Sequence, residues 1–146
     1  MNDTKNIFLI EDDKDDQSFF IDALNEIENT SLYAIANNGQ EAIDKLASSN
    51  ILPDMIFMDF NMPVMNGIEC LSEIIKNPLI RNIPVVMLST ATGQAERARE
   101  LGAKAFIKKP SDGRMLRTKI EQMINLDFIK NFQVANLTFQ TANLSC

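Results

Sequence analysis

The chain has 146 residues, 45% of them hydrophobic, and a formal net charge of −6, and it contains no histidine. This length suits one domain with one core, and the lack of histidine excludes Ser-His-Asp and Cys-His nucleophile systems and any histidine-ligated metal. Two distant cysteines and no long apolar stretch offer no disulfide framework, secretory signal or membrane span, so we expect a cytoplasmic protein.

Five short apolar segments recur along the chain, with helix-like segments between them. The apolar segments are mostly continuous rather than alternating, which is typical of parallel strands covered on both faces, and they span 6–10, 32–36, 54–59, 83–88 and 104–109. Between them, apolar residues recur at helical spacing, as at Phe20, Leu24 and Ile27. The pattern predicts an α/β fold, doubly wound around a five-stranded parallel sheet, for which the flavodoxin-like strand order 2-1-3-4-5 is one common order.

Polar residues stand at the carboxyl ends of the predicted strands, where sheets of this kind bind ligands. The first strand delivers Glu11 and Asp12, the third Asp59, the fourth Ser89 and the fifth Lys109. The stretch after the first strand carries five carboxylates in six positions. These carboxylates repel one another unless solvent disperses them or a cation lies among them.

These residue types match what Mg2+ and a phosphoryl group require. Glu11, Asp12 and Asp59 can supply carboxylates to Mg2+, with the backbone carbonyl of Asn61 close by in sequence. An aspartate beside the ion can act as a nucleophile towards phosphorus and form an aspartyl phosphate. The ion, the lysine ammonium of the fifth strand and the serine hydroxyl of the fourth would each bind one phosphoryl oxygen.

Four motifs stand in order and at compatible spacing over about residues 5–125: FLIEDDKDD, PDMIFMDFNMPVMNG, IPVVMLST and LGAKAFIKKP. Together they resemble the phospho-acceptor receiver domain of bacterial two-component response regulators, of the single-domain type. The resemblance implies that Asp59 is phosphorylated, that Asp12 binds the metal directly beside Glu11, and that Asn61 gives its backbone oxygen. The implied metal is Mg2+, with Mn2+ as the alternative.

The same resemblance assigns the remaining site residues. Ser89 would be the switch hydroxyl, Lys109 the phosphate-binding lysine, and Phe106 the aromatic side chain that changes rotamer. The Lys109-Pro110 peptide bond would be cis, a form that X-Pro bonds adopt far more readily than other peptide bonds.

The other charged residues are expected to cap helices or to form a surface. Asp13, Asp15 and Asp16 would cap or line the start of the first helix, where acids complement the helix dipole. Residues 1–96 hold 5 basic against 16 acidic residues, whereas residues 97–130 hold 9 against 4. The acidic part disfavours broad nucleic-acid binding. The uneven charge indicates either two solvated faces or a surface for docking a protein, which the basic part suits.

Two segments depart from a minimal receiver. Segment 94–101 has only two alanines and a leucine as an apolar stripe, so we predict a short and mobile fourth helix. We assign residues 1–126 to the receiver domain and residues 127–146 to a C-terminal extension, with no separate output domain. The extension would prolong the last helix and end in a tail.

The predicted function is that of a single-domain response regulator, and not of an enzyme beyond self-phosphorylation and self-dephosphorylation. It would take a phosphoryl group from the phosphohistidine of a sensor kinase or phosphotransfer protein. It would then signal to a protein target or relay the group, as a monomer or homodimer without direct DNA binding. A receiver-like adaptor that is never phosphorylated is the alternative.

Two enzyme or cofactor classes fit the sequence less well. A Mg-dependent aspartyl phosphatase usually needs a second acid two residues after its nucleophile, where this chain has Asn61. A flavin-binding protein of the same fold would need a phosphate loop after the first strand, and the chain has no Gly-rich phosphate motif.

Overall fold

The computed structural model describes residues 4–91 and 93–126 and shows five parallel strands alternating with five helices. The strands are β1 (Lys5–Ile10), β2 (Thr30–Ala36), β3 (Met55–Asp59), β4 (Val85–Ser89) and β5 (Ala105–Lys108). The helices are α1 (Lys14–Asn25), α2 (Gly39–Ser48), α3 (Gly67–Lys76), α4 (Ala95–Glu100) and α5 (Gly113–Ile124). The sheet has the order β2-β1-β3-β4-β5, so the predicted fold class and strand order are confirmed.

Helices cover both faces of the sheet, which explains why its central strands are apolar along their whole length. Successive side chains of a strand point to opposite faces. In β3, Met55 and Phe57 pack on the side of α1 and α5, whereas Ile56 and Met58 pack on the side of α2, α3 and α4. All five residues of β3 are buried, as are all five of β4.

The strand register brings the polar ends of three neighbouring strands to one edge of the sheet. Asp59 is opposite Leu88 in the pairing of β3 with β4, and Ser89 is opposite Lys108 in the pairing of β4 with β5. Ser89 therefore lies one residue beyond the partner of Asp59. We call this end of the sheet, where the carboxyl ends of the strands lie, the carboxyl edge.

A glycine allows α3 to begin directly against the carboxyl edge. A Cβ atom at Gly67 would lie 2.6 Å from the backbone oxygen of Asp59, closer than real Cβ contacts occur. The backbone N–H of Gly67 donates to the Phe60 carbonyl at 2.9 Å, which closes the loop after β3. The side chain of Asn66 caps the helix by accepting from the backbone N–H of Glu69.

The fourth helix is short, as its weak apolar stripe predicts. It spans six residues, its N-cap residue Gln94 makes no side-chain capping hydrogen bond, and its buried residues are Ala95 and Ala98. The expected mobility of α4 stays a prediction. The predicted extension over residues 127–146 lies outside the described residues. Within residues 4–91 and 93–126, no helix has the length and apolar character needed to cross a bilayer.

Candidate functional site

Three carboxylates meet at the carboxyl edge, as the sequence predicts. Each of Glu11, Asp12 and Asp59 offers a carboxylate oxygen, and these oxygens lie within 4.8 Å of one another. Glu11 is 2% exposed and Asp59 is 6% exposed, whereas Asp12 is not buried. Since charged carboxylates are rarely buried without a partner, this cluster requires a compensating cation.

Lys109 supplies a cation to the two buried acids. Its Nζ lies 2.8 Å from Glu11 Oε1 and 3.2 Å from Asp59 Oδ1. The residue directly follows β5, and its backbone N–H donates to the Ser89 carbonyl at 2.8 Å, which aligns the end of β5 with the end of β4. The predicted phosphate-binding lysine therefore reaches the predicted phospho-acceptor.

Asp16 is a third partner of Lys109, whereas the sequence alone predicts for it only a place at the start of the first helix. Its Oδ2 lies 3.0 Å from Lys109 Nζ, and its side chain is 46% exposed. The expected capping role belongs to Asp13, whose side chain accepts from the backbone N–H of Asp16 at 2.9 Å. The sequence does contain an indication of this position. Asp16 lies four residues before the buried Phe20, so the two residues share the inward face of the helix.

Burial and charge shift the proton affinities of the central groups. Burial raises the pKa of Glu11 to about 7, against the opposing hydrogen bond from Lys109, and the charge of Asp59 adds to the rise. Burial also raises the pKa of Asp59, although the Lys109 charge opposes it. For Lys109, burial favours the neutral amine, but its hydrogen bonds to Glu11 and Asp16 outweigh burial and raise its pKa. The ammonium therefore stays charged beside two acids that hold protons more tightly than free carboxyls.

Ser89 and Phe106 lie on the neighbouring strands β4 and β5. Ser89 is 3% exposed, and its Oγ accepts from the backbone N–H of Ala91 at 3.2 Å, which leaves the hydroxyl proton available as a donor. Phe106 is fully buried in β5, opposite Met87 of β4. The rotamer change expected of Phe106 and the switch role of Ser89 stay predictions.

Two predictions at the site concern the backbone. The cis Lys109-Pro110 bond is wrong, and the metal-binding carbonyl of Asn61 stays a prediction. The described residues contain no cis peptide bond, so Lys109-Pro110 is trans. Trans X-Pro is favoured by about 0.5–1 kcal/mol, and the lysine reaches both buried acids without the cis form. The backbone N–H of Asn61 hydrogen-bonds the Asp59 carboxylate and lowers its pKa. The metal-binding role of the Asn61 carbonyl stays a prediction.

The donor set of the acidic cluster fits a hard divalent cation. All three candidate ligands are carboxylates, which Mg2+ and Mn2+ both accept, and Mg2+ commonly combines one or two carboxylates with waters and a phosphate. Within the described residues, the Asp12 carboxylate accepts no hydrogen bond and remains open for an ion. The residues present therefore fit a metal site, and they do not distinguish Mg2+ from Mn2+.

The comparison with known families identifies the class of α/β domain to which this fold belongs. Residues 7–121 match the model of the response regulator receiver domain, so the chain belongs to that family. A protein-glutamate methylesterase/protein-glutamine glutaminase of Desulfotalea psychrophila is 37% identical over 127 residues, which are 81% of this chain and 33% of that protein. The chain thus spans about a third of the length of this relative.

Two solved response regulators share the structure over most of both chains. The phosphorylated cyanobacterial phytochrome response regulator RcpA superposes with a TM-score of 0.74 at 29% identity, covering 82% of this chain and 91% of that one. The Mn2+-bound form of response regulator Rcp1 gives a TM-score of 0.75 at 26% identity, covering 84% and 96%. Both are relatives in fold and sequence.

Proposed function

We propose that this chain accepts a phosphoryl group on Asp59 from the phosphohistidine of a sensor kinase or histidine phosphotransfer protein in the cytoplasm. The observation that carries the proposal is the Lys109 ammonium, which lies within 3.2 Å of both the buried Asp59 and the buried Glu11. A cation at that position can hold a phosphoryl oxygen against the acceptor carboxylate.

In the proposed step, a carboxylate oxygen of Asp59 forms a bond to phosphorus while the bond from phosphorus to the imidazole nitrogen breaks. The imidazole nitrogen keeps the electron pair of the broken bond. Negative charge on the phosphoryl oxygens is neutralised in place, because the Lys109 ammonium is held by its ion pairs before the donor arrives. The Ser89 hydroxyl donates a hydrogen bond to a second phosphoryl oxygen. Most of the rate would come from this positioning and charge stabilisation.

The proposed metal site uses Glu11, Asp12 and Asp59, together with the backbone oxygen of Asn61. When bound, Mg2+ or Mn2+ would neutralise charge on the carboxylates and on the phosphoryl group. The chain's own part is to hold the acids ionised and close together. The raised pKa of Glu11 and of Asp59 indicates that this requires the presence of compensating positive charge.

The phosphoryl group is proposed to be a signal rather than a substrate for turnover. The receiver would occupy residues 1–126, with residues 127–146 as an extension, and act stoichiometrically through self-phosphorylation and self-dephosphorylation. The signal would pass to a protein target, or the group would be relayed, by a monomer or homodimer that does not contact DNA directly. The methylesterase activity named for the Desulfotalea relative is not proposed for this chain, which covers only 33% of that protein.

Phosphorylation by a small phosphodonor tests the proposal. The purified protein is incubated with Mg2+ and acetyl phosphate, and the intact mass is measured. We expect the mass to increase by one phosphoryl group, and we expect Asp59→Asn to abolish the increase. Asp44→Asn is the matched control, since Asp44 is an exposed acid on α2.

The outcomes separate the candidate functions. Labelling that survives Asp59→Asn, or that is lost equally in Asp44→Asn, would contradict Asp59 as the acceptor. A wild-type protein that is never labelled at saturating Mg2+ would instead support the adaptor. Continuous release of phosphate from a phosphate ester would indicate a phosphatase.

A further inference from the structure

A buried glutamine of α1 lies directly behind the acidic cluster. Gln17 is 7% exposed, and its Nε2 donates to the backbone oxygen of Glu11 at 2.6 Å. The same Nε2 donates to Asn37 Oδ1 at 2.9 Å, and Asn37 belongs to the connection between β2 and α2. One side chain therefore joins the end of β1 to the end of β2, next to the candidate metal ligands.

Asn37 is itself held from two sides, so it forms a fixed support for the glutamine. Lys14 Nζ donates to Asn37 Oδ1 at 2.8 Å, and Asn37 Nδ2 donates to Glu41 Oε1 at 3.2 Å. Gln17 itself is buried and donates to two oxygens at once, which favours one position of its side chain in the folded protein.

The glutamine completes the restraint of the Glu11 backbone. The Glu11 N–H donates to the Ala36 carbonyl at 2.9 Å, as part of the sheet edge. The Glu11 carbonyl accepts from Gln17, and its carboxylate accepts from Asp13 N–H at 3.1 Å and from Lys109. The peptide plane that joins Glu11 to Asp12 is thus held at its oxygen by Gln17.

Asp12 depends on that peptide plane more than its neighbours do. Glu11 and Asp59 are both fixed by Lys109, but the Asp12 carboxylate has no hydrogen-bond or ion-pair partner in the part of the chain that the structure describes. With no such partner, the position of the Asp12 carboxylate depends on where its own backbone places the side chain. Loss of the Gln17 hydrogen bond would let the peptide rotate and turn the carboxylate away from the other two.

We propose that Gln17 is a positioning residue for the metal site, which fixes the Glu11-Asp12 peptide so that Asp12 points at the ion. This inference rests on the proposed Mg2+-dependent function. Partners behind metal ligands commonly change metal affinity by about 10–100-fold when they are removed. A positioning residue should change the affinity for the metal. A residue that takes part in the chemistry should instead change the maximal rate of phosphorylation.

The test compares Gln17→Met with the wild-type protein. Methionine keeps the length and burial of the side chain but donates no hydrogen bond. We expect the Mg2+ dissociation constant, measured by isothermal titration calorimetry, to rise by about tenfold. The half-saturating Mg2+ concentration for acetyl phosphate labelling should rise equally, while the maximal rate at saturating Mg2+ stays within about twofold, because only the metal is held less tightly.

Gln40→Met is the matched control, since it makes the same chemical change at an exposed position of α2. Gln40 Nε2 donates only to Asp44 Oδ1, at 3.0 Å, among the hydrogen bonds of the described residues. We expect its Mg2+ dissociation constant to equal that of the wild type. A shift of equal size in both variants would overturn the proposal, and so would a Gln17→Met protein that binds Mg2+ as tightly as the wild type.

A second variant keeps the test valid if Gln17→Met does not fold. Asn37→Ala leaves Gln17 in place but removes the oxygen that holds it, so we expect a loss of Mg2+ affinity of about threefold, smaller than that of Gln17→Met. An unchanged affinity in Asn37→Ala would count against the network. A wild-type protein that binds no Mg2+ would contradict both this inference and the proposed metal site, whereas normal wild-type binding with unaffected variants would contradict the inference alone.

Discussion

The two edges of the sheet differ in the residues that they bury. One edge buries acidic residues, and the other exposes apolar residues. At the carboxyl edge, the acidic residues Glu11 and Asp59 are 2% and 6% exposed. At the opposite edge, in the connections that lead into β3 and β4, the apolar side chains of Ile51 and Leu79 are 69% and 81% exposed. Exposed apolar residues are ordinary on protein surfaces, whereas buried carboxylates oppose folding unless they are paired. Stability at the edge where the site lies therefore depends on the ion pairs that Lys109 makes with the two buried acids.

The largest expected effect of the paired acids at the carboxyl edge is on the rate of phosphorylation. Lys109→Ala removes the cation shared by the two buried acids, so we expect acetyl phosphate labelling to slow by about 100-fold. Labelling rates measured by intact mass provide the check. Lys108→Ala changes the neighbouring exposed lysine and should stay within about twofold of the wild type. Equal losses in the two variants would show that general surface charge, and not the shared ion pair, drives labelling.

Because the carboxyl edge is closely packed, adding one methyl group at Gly67 should destabilise the protein. Gly67→Ala places a Cβ 2.6 Å from the Asp59 backbone oxygen, so we expect the free energy of unfolding to fall by about 2–3 kcal/mol. Urea unfolding is the measurement. Gly93→Ala is the matched control, because no atom of the described residues, apart from its chain neighbours, lies within 4 Å of a Cβ there. A smaller loss for Gly67→Ala than for Gly93→Ala would contradict the packing of α3 against Asp59.

The buried acids should make the metal-free protein less stable as the pH rises. In the folded protein Glu11 releases its proton at about pH 7, whereas its ordinary pKa is 4.5, so folding binds a proton between these values. The stabilisation is complete below pH 4.5 and is lost as the pH rises through about 7.

Thermal unfolding in EDTA of the wild type and of Glu11→Gln tests this pH dependence. Relative to the variant, the wild type should lose about 2 kcal/mol of stability between the two pH values. A difference between the two proteins that does not vary with pH would show that Glu11 titrates normally.

The smallest effect is expected at the opposite edge. Leu79 is 81% exposed, so Leu79→Ser should change the free energy of unfolding by less than about 0.5 kcal/mol and leave acetyl phosphate labelling unchanged. Urea unfolding and the labelling assay check this. A loss as large as that of Gly67→Ala would mean that the comparison of the two edges is mistaken.

The sequence was sufficient for the sheet and for most of the site, because both depend on short-range patterns. Continuous apolar segments identify buried parallel strands, and parallel strands end at a common edge. The meeting of Asp59 with Glu11 and Lys109 follows from where each strand ends. The resemblance that the motifs carry predicts the residue roles that the pattern alone leaves open.

The contacts that the sequence did not reveal depend on side-chain directions and on small energy differences. Asp16 and Lys109 are 93 residues apart, and their contact depends on the path that the lysine takes over α1. The Gln17 hydrogen bonds join two loops whose approach only the fold defines. The trans form of the Lys109-Pro110 bond differs from the expected cis form by about 1 kcal/mol or less, which a sequence pattern does not resolve.

The most direct test of the account is a crystal structure of the protein with Mg2+ and beryllofluoride, a stable mimic of the phosphoryl group. The account predicts beryllium bound to the Asp59 carboxylate, one fluoride contacting Lys109 Nζ and another contacting Ser89 Oγ. We also expect a metal ion held by the acidic cluster of Glu11, Asp12 and Asp59. Beryllofluoride bound at another residue, or a Lys109 ammonium directed away from Asp59 in the complex, would contradict it.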